Sequence, residues 1–111
     1  MDFEEATRKA LAFRDERDWA QFHNPKDLAI SVSLEAAELL EVFQWSGADL
    51  TVAGKASQAT EELADVAIYC IYLADALGVD LSEAISKKID ADAAKYPVDK
   101  ARGNARKYIE L

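Results

Sequence analysis

The sequence predicts an all-α fold, a bundle of four helices, from three observations. Apolar residues recur at helical spacing along most of the chain. The composition, with two Pro and four Gly among abundant Ala, Leu, Glu and Lys, favours helices over a sheet. Start and stop signals at Asn24-Pro25, Gly78 and Asp80 divide the chain into helix-sized pieces. With 111 residues, positions 1–111 are expected to form a single domain ending in a basic tail over 97–111. A domain of this size buries only about two thirds of its unfolded-chain surface, so support from a partner subunit is expected, and with it a homo-oligomer.

The first helix is predicted over Asp2 to about Arg17, where Phe3, Ala6, Ala10, Leu11 and Phe13 share helical spacing among charges. Trp19-Ala20-Gln21-Phe22-His23 forms an aromatic connector, with Phe22 expected in the core. Asn24 then offers a capping side chain and Pro25 fits the first helical position, opening a second helix that runs to about Trp45. Ser46-Gly47-Ala48-Asp49 stops it, and a loop enters the third helix between Thr51 and Gln58. That helix reaches Leu77 and closes at Gly78, a residue suited to the left-handed position after a helix. From Val66 to Leu77 it is apolar nearly all round, as expected of a helix buried on more than one side. Asp80-Leu81-Ser82-Glu83 has the form of a capping box and opens a fourth helix ending before Tyr96-Pro97.

Charge and apolar run length exclude several classes of partner. A formal net charge of -8 argues against a nucleic-acid polymer, whose binding depends on Lys and Arg neutralising phosphates. A small phosphate ligand stays open, because bound divalent ions reverse a local field. Cys70 has no second cysteine to pair with, the first residues lack a basic start and an apolar core, and the apolar run Val66 to Ala74 is too short to span a bilayer. The expectation is a soluble cytoplasmic protein with no membrane partner.

Two acidic pairs carry the chemistry. Glu35 and Glu38 lie three residues apart among Leu34, Ala37, Leu39 and Leu40, and Glu62 and Asp65 are spaced alike among Leu63, Ala64, Val66 and Ala67. An i, i+3 spacing sets two side chains on one helix face. One such pair is ordinarily a solvated face, but two pairs on core-proximal helices call for more than solvation. Packed side by side, the four carboxylates would repel unless protonated or neutralised by a cation, and an all-oxygen set suits Mg²⁺. A di-iron bundle site needs Glu-x-x-His from two helices, and the only histidine is His23 in the connector.

The aromatic residues suggest a second site. Trp19 and His23 flank a turn and Trp45 ends the second helix, where a flat ligand could stack. Tyr69, four residues after Asp65, shares its helix face. His23 is read either as a structural histidine or as a donor to a base edge. Lys87, Lys88 and Lys95 are read either as a solvated face or as a source of one phosphate-facing cation.

Taken together, the run from Arg17 to Pro25, Glu35-Ala36-Ala37-Glu38, Phe43-Gln44-Trp45, Glu61 to Val66 and Lys95-Tyr96-Pro97 resembles the all-α MazG-like nucleotide pyrophosphohydrolases. Within them it is most similar to the dCTP pyrophosphatase branch, from about Phe13 to the end of the chain. The resemblance implies Mg²⁺ held by Glu35, Glu38, Glu62 and Asp65, a base and sugar pocket at Trp19, His23, Trp45 and Tyr69, and a phosphate contact at Lys88. Asp92 departs from the frequent Asn of the family, which puts a carboxylate where phosphate charge is expected.

The implied reaction converts a nucleoside triphosphate, dCTP or a modified dCTP, to the monophosphate and pyrophosphate, clearing nucleotides from the pool. The implied assembly is a dimer of dimers whose sites a second chain completes. Four carboxylates and a polyphosphate outcharge one divalent ion, leaving room for more than one. Glu41 and Glu61 are both candidates for activating the attacking water. Two enzymatic alternatives act on dUTP or a phosphoribosyl nucleotide, and a third alternative is a non-enzymatic helical module whose acidic faces meet a basic partner.

Overall fold

Residues 1–111 are described by a computed structural model that is helical without a strand. Its contacts divide into two compact units, Met1–Gly78 and Val79–Leu111. The first unit holds α1 (Phe3–Glu16), a 3-10 turn (Ala20–Phe22), α2 (Pro25–Phe43), a second 3-10 turn (Ala53–Lys55) and α3 (Ala56–Leu77). The second holds α4 (Leu81–Lys95), a single turn α5 (Val98–Ala101) and a 3-10 turn (Tyr108–Glu110).

The helix starts follow from local hydrogen bonding. At α1 the Glu5 N–H donates to Asp2 Oδ1 at 2.8 Å and the Asp2 N–H donates to Glu5 Oε2 at 3.2 Å, a complete capping box. At α2 the Asp27 N–H donates to Asn24 Oδ1 at 2.9 Å, with Pro25 at the first helical position as predicted. At α4 the Glu83 N–H donates to Asp80 Oδ1 at 3.2 Å. The Glu83 carboxylate, however, takes Lys87 Nζ at 2.9 Å, so only the aspartate half of the predicted box forms.

The helix ends are equally specific. Gly78 closes α3 at φ 69°, which costs glycine nothing because it has no Cβ. α2 stops at Phe43, two residues before the predicted Trp45. Gln44 turns extended, and Trp45 adopts φ 67°, outside helical geometry. The following loop is organised by Asp49, whose Oδ1 accepts from the Thr51 N–H, the Thr51 hydroxyl and the Val52 N–H at 3.0, 3.1 and 3.0 Å. These bonds hold its carboxyl below the usual carboxylate range.

Within Met1–Gly78, α3 packs most extensively on α2 and also against α1. Leu28, Val52, Ile71, Tyr72 and Ala74 are buried, with Leu28 only 1% exposed. Two long-range bonds fasten α1 to α3: Arg14 Nη1 donates to Asp75 Oδ2 at 2.7 Å, and the Tyr72 hydroxyl donates to the Ala10 carbonyl at 2.9 Å.

One expectation about burial changes. Phe22, expected in the core, is 67% exposed. The connector is a single 3-10 turn, none of whose residues is enclosed, so its phenylalanine meets no core. α3, expected to pack against both its own chain and a neighbouring subunit, encloses Ile71, Tyr72 and Ala74 within the single chain, while Leu63 and Leu77 lie open together with Ile30, Leu34 and Leu40 of α2.

In Val79–Leu111 the tail folds onto the end of α4: the Tyr96 and Tyr108 rings meet edge to face at 6.0 Å, and Lys95 Nζ stands 5.0 Å from the Tyr108 centroid. No helix of the chain is long and apolar enough to cross a membrane.

Candidate metal centre and aromatic pocket

α2 and α3 bring the two acidic motifs face to face. Oxygens of Glu35, Glu62 and Asp65 all lie within 4.8 Å of one another. Glu38 stands beside this trio rather than within it, interacting with the carboxyls of both Glu35 and Glu62. Burial first, then the neighbouring charges of Glu38, Asp65 and Glu62, raises the Glu35 carboxyl above its ordinary value. The Glu62 carboxyl is raised for the same reason, burial leading and Glu38, Asp65 and Glu61 adding to it. Glu62 Oε2 is enclosed with no hydrogen-bond partner. An orphaned carboxylate oxygen among like charges is costly, and a hard cation removes both the orphan and the repulsion.

A cavity of about 580 Å³ opens beside the acids. Glu35, Glu38 and Asp65 form part of its wall, and the rest is largely apolar: Ala6, Lys9, Ala10 and Phe13 of α1, Met1, Trp19, and Ile68, Tyr69 and Tyr72 of α3. The arrangement joins an acidic patch to an aromatic slot within one concavity. Asp65, Tyr69 and Tyr72 follow at intervals of four and three along α3, which explains their shared face. Trp19 packs edge to face on Phe13 at 5.6 Å.

The remaining candidates divide. His23 rests against the Tyr72 ring at 5.1 Å with Nδ1 enclosed and unpartnered, next to the cavity wall. Burial first and the Arg14 charge second push its pKa below the ordinary value. Trp45 is 90% exposed and does not line the cavity. Glu41 faces a different groove, with Ala37, Leu40, Phe43 and Gln44. Glu61 neighbours Glu62 and adds to the charge it feels. Lys88 Nζ pairs with Asp92 Oδ1 at 3.2 Å one turn along α4, so the carboxylate that departs from the family pattern is matched by the lysine beside it.

Lys9, Arg14 and Tyr72 were not singled out by spacing, and Phe13 only as an apolar position of the first helix. Phe13 and Tyr72 sit in apolar patterns that periodicity assigns to a core. The one available signal was the position of Tyr72, three residues beyond Tyr69 and seven beyond Asp65.

Comparison with known proteins gives a consistent result. A family model described as the MazG-like family matches residues 30–111. The mouse protein dCTP pyrophosphatase 1 is 39% identical over 113 residues, covering 97% of this chain and 66% of its own length. The human protein of the same name is also 39% identical, with the same coverage. This chain thus spans about two thirds of the length of those relatives. A crystal structure of a pyrophosphatase from Archaeoglobus fulgidus matches the fold with a TM-score of 0.76 at 41% identity, covering 85% of this chain and 91% of that one.

Proposed function

The chain belongs to the MazG-like family, and from that premise we propose that it is a divalent-metal-dependent nucleoside triphosphate pyrophosphohydrolase, converting dCTP or a modified dCTP to the monophosphate and pyrophosphate. The observation that carries this reading is the convergence of Glu35, Glu62 and Asp65 within 4.8 Å, on helices whose carboxylates also wall an aromatic cavity. Such a site can hold a polyphosphate and a flat base in one place. The names of the mouse and human relatives support dCTP as the first substrate to test.

The residues present fit Mg²⁺. Every donor is oxygen, the acids repel one another, and Glu62 Oε2 lacks a partner. Glu35, Glu62 and Asp65 would hold the ion with Glu38 alongside, and the charge balance leaves room for a second ion. Bound there, the metal supplies positive charge that neutralises the triphosphate and polarises its α-phosphorus. Phe13, Trp19 and Tyr69 stack the base, while Glu61, adjacent to the acid cluster, is the better situated of the two candidates for orienting the attacking water. The assigned phosphate role of Lys88, and the modulating role of Asp92, rest on resemblance alone. Open apolar residues on α2 and α3 support a homo-oligomer, read as a dimer of dimers, which sedimentation at micromolar concentration tests.

The decisive experiment is a panel of canonical and modified deoxynucleoside triphosphates, dUTP included, with pyrophosphate detection in Mg²⁺ and in EDTA. Pyrophosphate release confined to Mg²⁺, with the highest kcat/KM on a cytosine nucleotide, is the expected result. Inactivity across the panel overturns the reading, and preference for dUTP replaces the base.

Trp45 gives a second test. Left-handed backbone at a non-glycine residue costs roughly 1–2 kcal/mol, and a ring 90% exposed recovers little of that by packing in the single chain. Because Trp45 lies outside the cavity of its own chain, its implied base contact is read as one made to the site of a neighbouring subunit, and Trp45→Gly is expected to raise the melting temperature by a few degrees while increasing KM for the nucleotide. A lower melting temperature with unchanged KM would mean that the indole serves the assembly, not the base.

A further inference from the structure

Arg14 is the one charged residue of the chain that is buried, at 9% exposure. Burying a guanidinium is unfavourable unless it is well paired, and Arg14 is held from two sides. Its Nη1 donates to Asp75 Oδ2 at 2.7 Å, and its Nε and Nη2 both reach Asp15 Oδ1 at 2.9 Å. So fixed, Cζ stands 5.9 Å from the centroid of the Tyr72 ring. Tyr72, 4% exposed, is pinned in turn by its hydroxyl on the Ala10 carbonyl, and the His23 ring leans on it at 5.1 Å and 39°. None of these three side chains belongs to the acidic cluster.

We propose that Arg14 and Tyr72 are positioning residues for recognition of the nucleotide base: together they hold the His23 imidazole against α3 with Nδ1 closed off, leaving Nε2 as the ring nitrogen that meets the base edge. The proposal rests on the pyrophosphohydrolase reading and deepens it. An enclosed N–H without an acceptor is rarer in proteins than an under-satisfied acceptor, so the enclosed Nδ1 is the bare nitrogen and Nε2 carries the hydrogen. His23 then offers one donor to an accepting atom of the base. A second proton would put an unpartnered N–H at Nδ1 and a second cation near Arg14, and the lowered pKa of His23 follows from that same geometry. The charged and titratable groups around the pair are Arg14 and Asp15 from α1, Arg17 just past its end, and Tyr69, Tyr72 and Asp75 from α3.

The chain has a single histidine, so its imidazole C–H resonances can be followed by proton NMR without assignment. Arg14→Gln removes the nearby positive charge and is expected to move the titration midpoint up. Asp75→Asn leaves that charge less compensated and is expected to move it down. Asp75 is half exposed, so the second variant keeps the test available if the first folds poorly. In steady-state assays with dCTP and Mg²⁺, Arg14→Gln is expected to raise KM about 10-fold, the scale of one lost hydrogen bond, with kcat nearly unchanged.

A loosened fold alone predicts no opposite-signed pair of midpoint shifts. Midpoints that stay put in both variants, or a fall in kcat at constant KM, overturn the positioning role. Failure of the underlying reading looks different: the wild-type chain then releases no pyrophosphate in Mg²⁺, and the clamp has no base to serve.

Discussion

Replacing Glu35 with glutamine is expected to lower kcat/KM for pyrophosphate release by about 10³-fold and, at neutral pH and above, to raise the melting temperature of the metal-free chain. The two effects have opposite signs because one carboxylate is read as a metal ligand and, without metal, is a source of repulsion. Glu35 and Glu62 both have pKa values raised above their ordinary 4.5. A raised folded-state value means that the stability associated with these groups is fully present below pH 4.5 and is lost as pH climbs through the folded values.

The metal-free wild type should therefore lose melting temperature as pH rises above 4.5 through the raised values of Glu35 and Glu62, and Mg²⁺ should restore it by binding the folded state. Glu35→Gln should flatten both responses. Thermal melts at several pH values, in EDTA and in Mg²⁺, check this. A wild-type profile indifferent to Mg²⁺, or a variant that keeps full activity, would sink the metal assignment.

Leu28→Ala is expected to be the most damaging apolar truncation in Met1–Gly78. Leu28 is 1% exposed and is the largest side chain of the chain that is fully buried. Leu→Ala at such a site costs about 2–5 kcal/mol, comprising lost transfer energy and the residual cavity. The whole fold of a domain this size is held by roughly 5–15 kcal/mol, so a fall of about 8–20 °C in melting temperature is expected. Melts run at matched protein concentration would check it, since assembly also contributes to stability. A fall below about 3 °C would mean that the stability resides mainly between chains.

Much of the helical framework was legible because its punctuation is chemical. Asn24-Pro25, Gly78 and Asp80 each act through a local hydrogen bond or a permitted φ, and local effects survive whatever the rest of the chain does. The Asp2 and Glu5 box is of the same kind and could have been read from its spacing. Phe22 was misplaced because periodicity tells that a residue is apolar, not which side of a one-turn connector meets the core.

The candidate site divides along similar lines. The i, i+3 spacing put Glu35 with Glu38 and Glu62 with Asp65, and the helices do oppose them. Spacing within a helix carries no information about rotation of one helix against another, which decides that Glu38 stands beside the trio. Arg14 and Asp75 are 61 residues apart, and no local pattern links them.

α3 is built in two halves. Its enclosed residues, Ile71, Tyr72 and Ala74, lie toward the C-terminus, and its carboxylates, Glu62 and Asp65, lie toward the N-terminus, which has no side-chain cap. The mutual repulsion of the acids is thereby concentrated in the half of the helix that supplies none of its enclosed apolar side chains. A cation bound as proposed would therefore add its order to the half of α3 that the apolar core leaves untouched, so that loading the site would tighten the helix from the end opposite its anchor.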